Sequence, residues 1–253
     1  MKVQIINCLT DNYSYIIYDE KTLLSVIIDP SEADPLINEV EKKNLDLKYI
    51  LNTHHHYDHV GGNHKLKKKF NCKIVGFEGD KKRIPEIDIT LTENQMWKNE
   101  LFECKILHIP GHTSGHICVY IKEINALFTG DTLFSLGCGK IFEGTYNEMY
   151  NSLNKLKKFP KNTNIYCGHE YTKKNSDFCL SIDAQNTKLT NKIKEIEKKI
   201  QSGNPTIPTT LKDELECNIF LRTDNLEIQK QIGINSRDPL ETFTKLRDLK
   251  DNF

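Results

Sequence analysis

The chain has 253 residues, with 35 Lys and Arg against 35 Asp and Glu and 38% hydrophobic residues, the composition of one or two folded domains without net charge. A mean hydropathy of −0.54 and the lack of any long apolar run exclude an integral membrane protein built on helical spans. Balanced charge gives no global field that would draw the chain onto nucleic acid, so nucleic acid is not the expected partner.

The opening segment MKVQIINCLTDNYSYIIYDE has neither the basic start and apolar core of a secretory signal nor the Arg-rich character of a transit peptide, so folded structure is expected from the beginning. Up to about Thr172 the chain alternates short apolar, β-branched runs with helical stretches. VQIINCL, YSYIIYD, LLSVIIDP, KYILNTH, CKIVGF, ECKILHIP, HICVYIKE, ALFTGDTLF and NIYCGHE read as strands. ADPLINEVEKKN, GGNHKLKKKF and NEMYNSLNKLKKF read as amphipathic helices with solvated Lys-rich faces.

After Tyr171 the strand-like runs stop. The remainder reads as helices, NTKLTNKIKEIEKKIQS, TLKDELECNIF and ETFTKLRDLKDNF, punctuated by Gly203, Pro205, Pro208 and Pro239. The expected organisation is an α/β domain over residues 1–172 and a smaller helical domain over 173–253. Eight cysteines (Cys8, Cys72, Cys104, Cys118, Cys138, Cys167, Cys179, Cys217) are too sparse for a disulfide scaffold and form no C-x-x-C pair, so reduced thiols in a cytoplasmic compartment are expected.

The densest chemical signal is Thr53-His54-His55-His56-Tyr57-Asp58-His59-Val60-Gly61-Gly62, directly after the apolar run KYIL. In an extended segment alternate side chains share a face, so His54 and His56 approach one ion while His55 points away. Asp58 and His59 lie where the chain turns toward a helix and reach a second position. Imidazole nitrogen with carboxylate oxygen suits zinc, iron or manganese. A purely structural zinc site would draw on cysteine, and none lies near. A single histidine reads as a surface or hydrogen-bonded core residue, and that reading holds for His55, His64 and His108.

Three further donors stand just past strand-like runs: His112 after ILHIPG, Asp131 after ALFTG and His169 after NIYCG. Apolar run, Gly, then His or Asp is what a site assembled from loops at one sheet edge requires. With the quartet they make seven donors, enough for two ions with three private ligands each, one shared carboxylate and a bridging water.

THHHYDHVGG, PGHTSGH, TGDTLF and CGHEY, in this order and spacing, resemble the metallo-β-lactamase superfamily. GDTLFSLGCGKIFEGT, CGHEYT, NIFLR and RDPLETFTKLRDLKDNF narrow the resemblance to the glyoxalase II, or hydroxyacylglutathione hydrolase, family over essentially the full chain. The resemblance implies an αββα sandwich followed by a helical glutathione-binding domain. It places His54, His56 and His112 on one metal, Asp58, His59 and His169 on the other, and Asp131 between them. The cofactors implied are two divalent ions, zinc foremost, with iron or manganese as alternatives.

The implied reaction is hydrolysis of S-D-lactoylglutathione to D-lactate and glutathione, the second step of methylglyoxal detoxification. A hydroxide bridging two cations forms at neutral pH and is already aimed at the thioester carbonyl. Asp131 and Asp58 are the catalytic carboxylates, Asp58 orienting that hydroxide. The anionic glutathione moiety calls for fixed cations. Matched residue by residue, the family's contacts fall on Lys140, Tyr171, Arg247 and Lys250. Many relatives carry Tyr where this chain has Phe142, which keeps ring packing and loses a hydroxyl contact, about 1 kcal/mol of affinity.

The expected partner is the small-molecule thioester, with no membrane or obligate protein partner. A mononuclear iron persulfide dioxygenase of the same superfamily would need fewer ligands than are present. A β-lactam hydrolase would lack the GCGK segment and the closing helix, and an RNA-processing relative would carry a large basic insertion. A non-catalytic binding module would not retain all seven donors.

Overall fold

The computed structural model describes all 253 residues, Met1–Phe253. Its internal contacts gather into two compact units, one of Met1–His108 with Ser114–Gly130 and one of Ile109–Thr113 with Asp131–Phe253. No helix is long and apolar enough to cross a membrane.

The first unit opens with strands β1 (Lys2–Cys8), β2 (Asn12–Tyr18) and β3 (Leu24–Ile28), helix α1 (Asp34–Lys42), β4 (Asp46–Leu51), the single-turn α2 (Tyr57–Val60), α3 (Asn63–Phe70), β5 (Lys73–Phe77) and β6 (Ile89–Leu91). These strands form one six-stranded sheet in sequence order. β1, β2 and β3 run antiparallel; β3 to β6 run parallel. Parallel strands need crossovers, and α1 and α3 supply two of them. α1 starts at Asp34 with a proline in its first turn and buries Leu36, Ile37 and Val40. α3 stops at Asn71, whose left-handed φ of 54° lets its N–H return to Lys67 O at 2.8 Å.

The outer face of this sheet and its helices share a core of Ile16, Ile27, Leu36, Ile37, Val40, Leu47, Ile50, Leu66 and Ile74 among others. In β2, period-2 alternation sends Ile16 into that core and Tyr15 to the opposite face. There the Tyr15 ring meets Phe128 edge-on at 5.2 Å. Phe128 belongs to a second, antiparallel set in this unit: β7 (Met96–Lys98), β8 (Glu103–His108), β9 (Ile117–Ile121) and β10 (Ala126–Gly130). Two sheets packed face to face with helices outside is the layering expected from the sequence.

The second unit holds the short hairpin β11 (Leu133–Phe134) and β12 (Gly137–Cys138), α4 (Tyr146–Leu156), β13 (Asn164–Cys167), α5 (Thr172–Ile182), α6 (Thr187–Gln201), β14 (Thr209–Thr210), α7 (Leu211–Cys217), α8 (Leu226–Gln231) and α9 (Pro239–Asp251). α4 begins at a full capping box, Thr145 with Glu148, and α9 at an Asp238 cap followed by proline. By internal contacts this unit takes in Ile109–Thr113 and the chain from Asp131 as well as the helical residues after Thr172. α4 packs on α9, and β12 packs on α5 and on the turn Ile219–Leu221.

Candidate metal centre

In the first unit the histidine-rich segment leaves β4 at Leu51 and is fixed before the donor residues begin. Asn52 N–H donates to Val75 O at 2.9 Å, and Ile117 N–H donates to Thr53 O at 2.9 Å. Asp29, one residue past β3, is buried beneath this turn. Its Oδ1 accepts Thr53 N–H at 2.7 Å, its Oδ2 accepts the Thr53 hydroxyl at 2.6 Å, and the same Oδ2 lies 3.0 Å from His59 Nδ1. A carboxylate only accepts, so Nδ1 of His59 carries the proton and Nε2 keeps its lone pair. The Thr53 hydroxyl, having given its proton to Asp29, accepts from His54 Nδ1 at 3.1 Å, which assigns the same tautomer to His54.

Asp29, His54 and His59 place their donor atoms within 4.8 Å of one another. The His54 ring lies 4.1 Å from His59, 4.8 Å from His56 and 4.6 Å from His116, on which it stacks. Asp58 Oδ2 stands 3.7 Å from His59 Nε2 and accepts Asn12 Nδ2 at 3.0 Å. The structure therefore brings together His54, His56, Asp58 and His59. His55 diverges, with Nδ1 3.4 Å from the buried Asp80 carboxylate. His64 pairs with Glu86, and His108 lies against Phe77 with Nε2 donating to Ser114 O at 2.8 Å.

In the second unit His112, Asp131 and His169 converge, each 5% exposed. Asp131 Oδ2 lies 3.5 Å from His112 Nε2 and 3.2 Å from His169 Nε2. His112 Nδ1 donates to Lys140 O at 2.8 Å, so its Nε2 is the acceptor nitrogen facing Asp131. The hairpin after Asp131 folds tightly back: Gly139 N–H donates to Thr132 O at 3.1 Å, and any Cβ at Gly139 would sit 1.9 Å from Asp131 O. Only glycine fits there. Tyr171 stacks on the His169 imidazole at 4.7 Å with planes 6° apart, and Phe134 stands edge-on to both rings.

The five substrate-contact candidates all lie in the second unit. Lys140 is exposed, its Nζ 5.8 Å from the Phe142 ring centre, and Phe142 is 61% exposed with its ring edge-on to His112 at 5.2 Å. Tyr171 is half-buried. Lys250 is half-buried over Phe178 and Phe253; burial, with Arg247 nearby, holds its ammonium below the usual lysine range. Arg247 is only 5% exposed: Nη1 donates to Cys138 O at 2.8 Å, Nη2 donates to Asp251 at 2.9 Å, and Nε is buried without a hydrogen-bond partner.

Sequence reasoning missed Asp29 and His116. Asp29 had a readable signal, an Asp closing the run LLSVII as Asp131 closes ALFTG. His116 lay in view within PGHTSGH and received no role.

Imidazoles, three of them (His54, His59 and His112) with the proton on Nδ1, and carboxylates, without a lysine or arginine among them, make a donor set for a divalent metal. Comparison with known proteins names the family. Residues 170–253 match the model described as hydroxyacylglutathione hydrolase C-terminus, and residues 10–88 and 100–169 match the metallo-beta-lactamase superfamily. A hydroxyacylglutathione hydrolase of Pelagibacter ubique (strain HTCC1062) is 58% identical over 253 residues, 100% of both chains.

The chain belongs to the hydroxyacylglutathione hydrolase family.

Another relative of that name, from Rhodospirillum rubrum, is 43% identical over 97% of this chain and 96% of its own length. Among solved structures, ETHE1 from Myxococcus xanthus superposes with a TM-score of 0.70 at 21% identity, covering 98% of this chain and 90% of its own, a likeness of fold. Membership makes the chain an enzyme, a metal-dependent hydrolase with a metallo-β-lactamase domain, and its His and Asp clusters are a donor set suited to divalent metal.

Proposed function

We propose that the enzyme hydrolyses S-D-lactoylglutathione, and related 2-hydroxyacyl thioesters, to the hydroxy acid and glutathione. Two divalent ions are held, zinc foremost and iron or manganese as alternatives: His54, His56 and His112 on one, Asp58, His59 and His169 on the other, Asp131 shared. The observation that carries this reading is a single oxygen, Asp131 Oδ2, set 3.5 Å from His112 Nε2, whose ring proton lies on Nδ1, and 3.2 Å from His169 Nε2. The His112 lone pair aimed at a carboxylate oxygen calls for a cation between them.

When bound, the metal pair supplies Lewis acidity, lowering the pKa of a water to about 7 and polarising the thioester carbonyl. The chain does the rest. Asn12 Nδ2 donates to Asp58 Oδ2 and steadies the carboxylate, which would accept a hydrogen bond from the attacking water and aim its lone pair. Asp29 and Lys140 O keep His59 and His112 in the tautomer that leaves Nε2 available. Lys140, Arg247 and Lys250 are the cations proposed for the glutathione carboxylates, and the Tyr171 hydroxyl offers a donor to its backbone. Phe142 supplies an apolar face. Water adds to the acyl carbon, the C–S bond breaks, and the sulfur leaves as thiolate.

Residues 1–172 supply the proposed metal ligands together with Lys140, Phe142 and Tyr171, and 173–253 supply Arg247 and Lys250, a division supported by family matches that meet between residues 169 and 170. Eight free, buried cysteines suit the cytoplasm, where glutathione is reduced. The small thioester is the only partner this reading needs. The test is thiol release from S-D-lactoylglutathione by purified protein, with oxygen uptake on glutathione persulfide as control. Rapid thiol release supports the reading; oxygen uptake without thiol release replaces it with a dioxygenase.

A further inference from the structure

The hairpin Leu133–Cys138 pairs only Leu133 with Cys138 and Phe134 with Gly137, too little to hold a shape by itself. Its turn also puts Leu136 at φ 57°, a left-handed conformation costly for a leucine. Side chains from helices far along the chain hold it. Glu214 of α7, fully buried, accepts Leu136 N–H at 2.8 Å and Asn218 Nδ2 at 3.0 Å on one oxygen, and the Thr209 hydroxyl at 2.8 Å on the other. Asn218 Nδ2 also donates to Gly137 O at 3.0 Å, Asn175 donates to Ser135 O at 3.0 Å, and Arg247 donates to Cys138 O at 2.8 Å.

We infer that Glu214 is a positioning residue for the catalytic centre, fixing the Leu133–Cys138 hairpin so that Lys140 and His112 keep their places. The inference rests on the hydrolase reading above. Asp131 lies two residues before the hairpin, and Gly139 N–H closes onto Thr132 O just after it. Lys140 follows, with its side chain at the substrate position and its carbonyl on His112 Nδ1 at 2.8 Å. A hairpin that loses the acceptor for Leu136 N–H releases both. A buried amide without an acceptor costs about 1–3 kcal/mol, enough to favour another turn.

The experiment compares Glu214→Leu, Glu214→Gln, Lys140→Ala and Ile196→Ala in the zinc-loaded full chain, the last a core truncation in α6. KM for S-D-lactoylglutathione and the rate of zinc transfer to a chromophoric chelator are read well below Tm. Glu214→Leu is expected to raise KM and speed zinc loss, each about tenfold, the usual cost of losing support behind a ligand. Glu214→Gln keeps an amide oxygen for Leu136 and Asn218 and turns its NH2 to the Thr209 hydroxyl, so it stays within about twofold of the parent. Lys140→Ala raises KM and keeps its zinc, while Ile196→Ala lowers Tm alone.

A Glu214→Leu protein with the parent's KM and zinc rate overturns the inference, as does an Ile196→Ala protein that shifts both equally. Should Glu214→Leu fail to fold, Asn175→Ala, which removes only the partner of Ser135 O, takes its place under the same criteria. A parent without thioester hydrolysis, whose Glu214→Leu variant still loses zinc faster, sinks the substrate reading and leaves the positioning role standing.

Discussion

Asp131 is shared by two imidazoles through one oxygen, so truncating it removes a ligand from both proposed ions at once. Asp131→Ala is expected to fold, to bind less than the parent's metal and to lose kcat by at least about 10²- to 10³-fold, the scale of losing a preorganised charge from a reacting centre. Near-parent kcat in the metal-loaded variant would contradict the assignment. Asp29→Asn keeps the volume and removes the charge that fixes His59; metal affinity by chelator competition should fall about 10- to 100-fold. Phe142→Tyr restores a hydroxyl beside Lys140 and should lower KM about fivefold, one hydrogen bond's worth. An unchanged KM would mean the hydroxyl finds no partner.

The proposed ligands stand out because their chemistry is concentrated: His54, His56, Asp58 and His59 fall within six residues, and His112, Asp131 and His169 each follow an apolar run and a glycine. Asp29 and Glu214 were harder to find. A lone Asp before Pro30 looks like a turn, and Glu214 lies 78 residues from the amide it accepts, a separation no local pattern encodes.

At the scale of elements, α7 carries a titration. Burial pushes the Glu214 carboxyl up from 4.5 to about 7, against the hydrogen bonds from Thr209, Leu136 and Asn218 that pull it down. A folded value above the unfolded one means that this group's contribution to stability is complete below pH 4.5 and lost as pH rises through about 7. Glu214→Gln does not titrate. Metal-stripped parent and variant should therefore have similar unfolding free energies near pH 5, and the variant should be more stable by up to about 3 kcal/mol near pH 8. Denaturant melts at the two pH values check it, and a difference that does not change with pH would contradict the buried-charge account.

The long strands β1 to β5, β8 to β10 and β13, and helices α1, α3, α4, α6 and α9, were readable from apolar periodicity. β6, β7, β12 and β14 have two or three residues each, too few to show a period. α5 was hidden for a different reason. Its buried face includes Thr172, Asn175 and Ser176, polar residues that serve the hairpin and the Thr206 contact, so its pattern does not look apolar.

Over the whole molecule, the donor clusters collect carboxylates and imidazoles that are costly to keep together without cations. Stripping metal should lower Tm, and adding zinc back at about 1,000 times its dissociation constant should return about 4 kcal/mol. A Tm indifferent to zinc would mean that the clusters are held by protein contacts alone.

The central claim is that two ions act together on a glutathione thioester. Its most direct test is to titrate metal-stripped protein with zinc while following thiol release from S-D-lactoylglutathione. The account predicts that full activity is reached at two equivalents per chain, with Asp131→Ala inactive throughout. Full activity at one equivalent, or full metal loading with no thiol released, would contradict it.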